Sequence, residues 1–403
     1  MREFADIGVH SELINKLSTR YIKTPTEIQR LVIPKLLERQ NVMFRSATGT
    51  GKTFAYLLPT LQLLGKEPNA KAMILAPTLE LCSQIKEEVD FLLTALKSDV
   101  QTPYALLLPG SVKIDKQIEI LKKMKPSVII GNPGRLFALA KMGKLKLNNL
   151  RFLIMDEADR LTVQESMEDT NGLLSIIEKI VLKGATDKGD YLQVIGCSAT
   201  VSEKTRPGLG SLFKDVQIIE SDDHKILRGQ IEHWAIFSEK RRKAQTLRSL
   251  LAALNGQRKK SKIKVLIFTS KNDDANLILQ RLLHHKVSAT GLFGKVNKKP
   301  LTGTERKTAL DSFRKGDVQV LVSTDLAARG LDIPGITHVI ALDVPENPEG
   351  YIHRCGRTGR AGKHGIMVTI GDETQMHLLS ALEKKLKICI YPKELYGGNV
   401  VNC

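Results

Sequence analysis

The chain has 403 residues, of which 42% are hydrophobic and 26% charged, a size that favours two domains over a single core. No run approaches the ~20 uncharged apolar residues of a membrane helix, and the first twenty residues carry Glu3, Asp6 and Glu12 without an apolar stretch, so neither a secretory nor an acid-poor transit leader fits and the cytoplasm is the expected compartment. Sixty-one Lys and Arg against forty-three acids give +18, which suits a polyanionic partner such as nucleic acid; the excess is +5 over residues 1–220 and +13 over residues 221–403.

In chain order, Asn41 to Phe44 reads as a short buried strand, followed by Arg45-Ser46-Ala47-Thr48-Gly49-Thr50-Gly51-Lys52-Thr53 and the helix-period segment Phe54 to Leu64. Strand, glycine-containing loop and helix form the context in which backbone N–H groups at a helix N-terminus cradle phosphates. Lys52 supplies a point charge for the β- and γ-phosphates, Thr53 a hydroxyl for Mg²⁺, and Gly49 and Gly51 allow close backbone approach. The strict pattern has Gly where Ser46 stands.

Ala72 to Ala76, Ser127 to Ile130, Phe152 to Met155 and Leu192 to Ile195 are further strand-like runs between helix-period segments, the grammar of a parallel sheet covered on both faces. Met155-Asp156-Glu157-Ala158-Asp159 places two acids at a strand's C-terminal end, where open α/β sheets bind ligands. Asp156 there holds Mg²⁺ through water, and Glu157 orients and deprotonates an attacking water. The polar stretch from Glu220 to Lys225 has no apolar periodicity and marks a linker over 221–228, separating a domain at 1–220 from one at 229–403. The pattern then restarts, with strands at Lys264 to Phe268, Val318 to Val322, His338 to Leu342 and Gly365 to Ile370, and helices at Asp273 to Leu283 and Glu305 to Phe313. Gly184 to Gly189 and the basic Lys295 to Gly303 read as loops, the second protruding. Five cysteines, odd in number and never in CxxC spacing, argue for buried reduced thiols over disulfides or zinc. Arg241-Arg242-Lys243 and Arg258-Lys259-Lys260 are basic clusters that read as solvated faces or as nuclear import signals.

Asp156-Glu157-Ala158-Asp159, together with motifs in matching order over essentially the whole chain, resembles the DEAD-box RNA helicases. Those motifs include Pro25-Thr26-Glu27-Ile28-Gln29, Ser198-Ala199-Thr200, Ser323 to Pro334 and Tyr351-Ile352-His353-Arg354-Cys355-Gly356-Arg357-Thr358-Gly359-Arg360. The resemblance implies an α/β fold of two RecA-like parallel-sheet lobes, an adenine motif over 4–29, a P-loop over 46–53 and an ATP-dependent RNA helicase that uses ATP and Mg²⁺ and acts on short duplexes or RNA–protein assemblies, as a monomer. It assigns Phe4 to stacking on adenine and Gln29 to its amino group and N7. Ser46, Ala47, Thr48, Gly49, Thr50, Gly51, Lys52 and Thr53 go to the nucleotide phosphates, and Asp332 to the ribose. Arg357 and Arg360 become arginine fingers that spread transition-state charge, while Ser198, Thr200, Asp159, Arg329 and His353 couple hydrolysis to strand separation. ATP and RNA then favour one closed arrangement of the lobes, and each tightens the other.

The same resemblance places the RNA backbone on Pro77, Thr78, Gly110, Asn132, Gly134 and Arg135 of the first lobe and on Gly294 and Thr324 of the second, with sequence-independent, salt-sensitive binding. Five positions depart from the family pattern: Leu79 stands for Arg, Pro109 for Gly, Asn132 for Thr, Ser46 for Ala and Arg20 for Gly. Leu79 removes a guanidinium from the RNA path, which keeps open a nucleotide-gated RNA clamp with little unwinding. A DNA translocase of the wider helicase superfamily is the other alternative, disfavoured by the adenine motif combined with Asp156 to Asp159. The lysines of 295–303, an insertion relative to the family, either grip RNA or stay solvated.

Overall fold

The computed structural model describes residues 3–45, 50–67, 69–96, 104–162, 164–184, 191–198, 211–221, 229–257, 263–296, 299–328, 333–345, 347–359 and 363–403. The chain divides into two compact units after Ser221. The linker expected over 221–228 lies, except for Ser221, outside the described residues.

In the first unit, β1 (Val42–Arg45), β2 (Lys71–Leu75), β3 (Ala105–Leu108), β4 (Val128–Gly131), β5 (Leu150–Asp156), β6 (Gln193–Ser198) and β7 (Gln217–Glu220) form one sheet in the order β3-β4-β2-β5-β6-β1-β7. Every pairing is parallel. The central strands are apolar at nearly every position because helices cover both faces. Alternation sorts their side chains into two cores: Ile74, Ile130, Phe152, Ile154 and Ile195 belong to one cluster, and Met73, Leu75, Ile129, Leu153 and Val194 to the other. Strand β7 at the edge is largely exposed, and the expected segments missed it for that reason.

The second unit repeats the plan. Strands β8 (Ile231–Phe237), β9 (Val265–Thr269), β10 (Ala289–Leu292), β13 (Val320–Thr324), β14 (His338–Ala341), β15 (Gly365–Gly371), β16 (Ile390–Tyr396) and β17 (Asn399–Asn402) lie in the order β10-β13-β9-β14-β15-β8-β16-β17. Only the terminal β16–β17 pair is antiparallel. Residues 295–303, expected as a protruding loop, instead include a minimal antiparallel pair, β11 (Lys295–Val296) and β12 (Lys299–Pro300). The segment is closed by Thr302, which caps the helix Gly303–Lys315 in a reciprocal box with Glu305. The Gly184 to Gly189 loop lies, apart from Gly184, outside the described residues.

All five cysteines are free, but burial applies to only three of them: Cys82, Cys197 and Cys355 are buried, whereas Cys389 and Cys403 are exposed at the less covered end of the second sheet. No helix among the described residues is long and apolar enough to cross a membrane.

Candidate nucleotide and nucleic-acid site

Parallel strands deliver their C-terminal ends to one edge of the first sheet, and the chemistry-bearing residues gather there. In register, Leu108 of β3, Gly131 of β4 and Leu75 of β2 are neighbours, then Met155 of β5, Gly196 of β6 and Met43 of β1 continue the row. The segments that follow these strands are therefore laid side by side: Pro109-Gly110, Asn132 to Arg135, Pro77-Thr78, Asp156-Glu157, Ser198, and the loop leading to Lys52.

At the β1 end, Gly51 precedes the helix Lys52–Leu64 with φ +88°, left-handed backbone that suits glycine. A second reason for glycine is space, since a Cβ there would stand 2.4 Å from Gln29 Nε2. Gln29 donates from Nε2 to the Gly51 carbonyl at 3.0 Å and accepts from the Thr26 backbone N–H at 2.9 Å. One N–H and one Oε1 lone pair remain, matching the donor and acceptor needed for adenine N7 and its amino group. Phe4 departs from the expectation: the ring is 1% exposed within the first unit's apolar cluster and presents no open face for stacking. Lys52 is buried and Thr53 half-buried in the first helical turn. Ser46, Ala47, Thr48 and Gly49 lie outside the described residues.

At the β5 end, Asp156 is 4% exposed and its carboxylate is held on both oxygens. Tyr56 donates its hydroxyl to Oδ2 at 2.9 Å; the Cys197 thiol and the Glu157 backbone N–H donate to Oδ1, each at 2.9 Å. Burial first, then the Asp156 charge, pushes both the Tyr56 phenol and the Cys197 thiol well above their usual values, so both remain protonated donors. Glu157 has φ +53°, a non-glycine residue in left-handed backbone, which costs on the order of 1–3 kcal/mol and turns its side chain off the strand direction. Asp159 follows in the short helix Ala158–Leu161, and Ser198 is fully buried at the end of β6, in register with Arg45. Thr200 lies outside the described residues. Tyr56 and Cys197 had no place among the sequence candidates: one reads as a helix apolar position and the other as part of a buried strand, and their shared partner is distant in the chain.

Two of the three neighbouring loops of the nucleic-acid candidates are built by side-chain capping. Thr78 caps the helix Leu79–Leu93 by accepting from the Leu81 N–H at 3.2 Å, and Asn132 caps Pro133–Lys141 by accepting from the Arg135 N–H at 3.3 Å, with Pro133 at the first helical position. Arg135 also donates to the Gly110 carbonyl, tying the β4 loop to the β3 loop. A Cβ at Gly134 would stand 2.7 Å from Asp169 Oδ2, so a side chain there requires that carboxylate to shift. Leu79 is half-buried at the head of its helix.

In the second unit, Gly294 and Thr324 follow and end the adjacent strands β10 and β13, with Leu292 opposite Ser323 in register. The Gly294 N–H donates to Asn272 Oδ1 at 3.1 Å. The helix Pro348–Cys355 carries His353 and is anchored by Arg354, which sequence reasoning passed over. This guanidinium, 1% exposed, makes a two-pronged contact with Asp325 at 2.7 Å to each oxygen and binds the Asp343 carboxylate at 2.8 Å and carbonyl at 2.7 Å. Arg357 follows one turn on, buried, with Nε donating to the His353 carbonyl at 3.3 Å. Arg329, Asp332 and Arg360 lie outside the described residues.

Comparison with known proteins gives the family. Residues 26–206 match the DEAD/DEAH box helicase model and residues 242–362 the helicase conserved C-terminal domain. The chain is 33% identical over 384 residues to the DEAD-box ATP-dependent RNA helicase CshC of Bacillus cereus, covering 94% of this chain and 90% of that protein. It is 32% identical over 387 residues to CshA of Bacillus subtilis, covering 95% of this chain and 72% of that one. Among solved structures, Mss116p bound to single-stranded RNA and AMP-PNP aligns with a TM-score of 0.82 at 25% identity, over 98% of this chain and 80% of that one. Dbp5 of S. cerevisiae, bound to RNA and ADP BeF3, shares the two-lobe fold at a TM-score of 0.80 and 24% identity, over 97% of this chain and 96% of that one. With both of its units matched in order and its motif residues brought to the same sheet edges, the chain belongs to the DEAD-box family of RNA helicases.

Proposed function

We propose that this protein is an RNA-stimulated ATPase that unwinds short RNA duplexes or remodels RNA–protein assemblies. The observation that carries the reading is the continuous row along one sheet edge, in which three backbone loops, the Asp156–Glu157 turn, Ser198 and the phosphate-loop helix stand on adjacent strands. Such a row suits a strand of nucleic acid on one side and a nucleoside triphosphate on the other, with acid chemistry in the middle.

Lys52, at the head of its helix, neutralises phosphate charge, and the helix N-terminus adds its own positive pole. Glu157 holds the attacking water and takes its proton as the P–O bond to the leaving diphosphate breaks. Gln29 selects adenine with its remaining donor and acceptor. Arg357 and Arg360 of the second lobe spread the charge of the transition state, and His353, Asp159, Ser198, Thr200 and Arg329 carry the coupling to RNA. Thr53 and Asp156 offer hard oxygen ligands of the kind Mg²⁺ takes alongside substrate phosphates; no cluster of three or more His, Cys, Asp or Glu suited to a metal occurs among the described residues. Bound there, Mg²⁺ would screen the β- and γ-phosphates.

Phosphate-facing backbone at Thr78, Gly110 and Asn132, together with Gly294 and Thr324, makes binding weakly dependent on base sequence and strongly dependent on salt. The test is steady-state ATP hydrolysis with no nucleic acid, with single-stranded RNA and with single-stranded DNA, beside Glu157→Gln and a strand-displacement assay. Stimulation by RNA alone, abolished by Glu157→Gln and accompanied by displacement, is expected. Equal stimulation by DNA refutes the RNA assignment; tight nucleotide-dependent RNA retention without displacement makes the protein a clamp.

A further inference from the structure

Two side chains outside the motifs, Tyr56 and Cys197, form a hydrogen-bonded relay to Asp156 behind the nucleotide site. Tyr56 is fully buried one helical turn beyond Thr53 and donates to Asp156 Oδ2 at 2.9 Å. On the other oxygen, the fully buried Cys197 thiol donates at 2.9 Å, beside the Glu157 N–H. Proton direction is thus fixed on both sides: Tyr56 and Cys197 each donate to Asp156.

A carboxylate carries no proton of its own, so the donors that meet it set its orientation. The Tyr56 proton goes to the carboxylate, fixing the carboxylate plane and leaving its remaining lone pairs for the ion or its water. A phenylalanine at residue 56 would leave Oδ2 without this donor. We infer that Tyr56 and Cys197 are positioning residues that pre-orient Asp156 within the divalent-cation site it would share with Thr53, setting the Mg²⁺ requirement for nucleotide binding. The inference rests on the ATPase reading above and deepens it.

The measurement is a Mg²⁺ titration of fluorescent mant-ADP binding to the full chain, with affinity in EDTA and thermal midpoint recorded for each variant. Tyr56→Phe is expected to raise the Mg²⁺ concentration for half-saturation about tenfold, the lower bound usual for loss of an outer-shell partner, while affinity in EDTA stays within twofold. Cys197→Ala should raise it about threefold, a smaller share since Oδ1 keeps the Glu157 N–H, and Cys197→Ser, which restores a donor, should return it to within twofold of the parent. A Tyr56→Phe midpoint within twofold of the parent overturns the inference, as does an equal loss of affinity in EDTA, which marks general damage to the pocket. Should Tyr56→Phe fail to fold, the Ala and Ser pair at Cys197 decides: indistinguishable Mg²⁺ midpoints refute the relay. If the parent chain itself binds mant-ADP with no Mg²⁺ dependence, the ATPase reading fails instead.

Discussion

Replacing Arg354 by Met keeps side-chain length and removes every donor, so the change isolates the ionic anchor of the second lobe. Four hydrogen bonds vanish, and two carboxylates that met a buried guanidinium lose it. Breaking a buried ion pair from one side costs about 3–5 kcal/mol. The Asp325 and Asp343 side chains are 31% and 20% exposed and can recover some water, which places the cost near the low end, about 3 kcal/mol. At about 2–4 °C per kcal/mol for a unit of this size, the thermal midpoint of the second lobe should fall by about 6–12 °C. The chain's single tryptophan, Trp234, lies buried in β8, so its fluorescence follows that lobe alone. Adding Asp325→Asn to Arg354→Met should recover part of the loss, because the second change removes a stranded charge. A fluorescence midpoint displaced by less than 2 °C, or a double variant no better than the single, would refute the anchor argument. ATP turnover should fall in the same variants, since Arg357 follows directly after the helix that Arg354 fixes and bonds its His353 carbonyl.

Further expectations follow from the same geometry. Glu157→Gln should slow ATP turnover by about 10²–10⁴-fold while nucleotide affinity, measured by fluorescence titration, changes by no more than a few fold. Gly51→Ala should abolish mant-ADP binding, since the new methyl meets the Gln29 amide and the backbone is left-handed; retained affinity would contradict the close approach. Leu79→Arg should strengthen RNA stimulation of turnover by restoring a cation to the β2 loop, and unchanged stimulation in an RNA titration would refute that role. Iodoacetamide at pH 8 should label Cys389 and Cys403 only: burial raises the thiols of Cys82, to about 12, and of Cys197 and Cys355 above their usual values, so each stays protonated and covered, and mass spectrometry should count two adducts before denaturation and five after.

Strands β2, β4, β5 and β6 were legible because a parallel strand covered on both faces reads as an unbroken apolar run. Strand β8 was not, since Glu232 and His233 interrupt its pattern, and β7 was not, since its edge position leaves it largely exposed. The phosphate loop announces itself at Gly51, where left-handed backbone and the close approach of Gln29 both favour glycine. Partner choice is a different matter. Tyr56 meets an acid 100 residues away, and Arg354 meets acids 29 and 11 residues away, and neither spacing leaves a local trace. Phe4 shows the converse, an aromatic residue in a motif position that packs into the core.

The arrangement of the first sheet explains why the chemistry falls where it does. Chain order runs β1, β2, β3, β4, β5, β6, but β2 and β1 sit on opposite flanks of the β5–β6 pair. The chain leaving β1 therefore travels one way along the sheet and returns into the middle, which opens a crevice at the strand ends where the direction reverses. Asp156 ends β5 and Cys197 lies beside it in β6, while Lys52 enters from β1 and Thr78 from β2. A carboxylate at the reversal point thus has the phosphate loop on one side and the nucleic-acid loops on the other, at one strand's remove from β2 and two from β1. Displacing the Asp156–Glu157 turn should perturb both neighbours at once, so under the proposed function the hold of Tyr56 and Cys197 on Asp156 bears on nucleotide and RNA together.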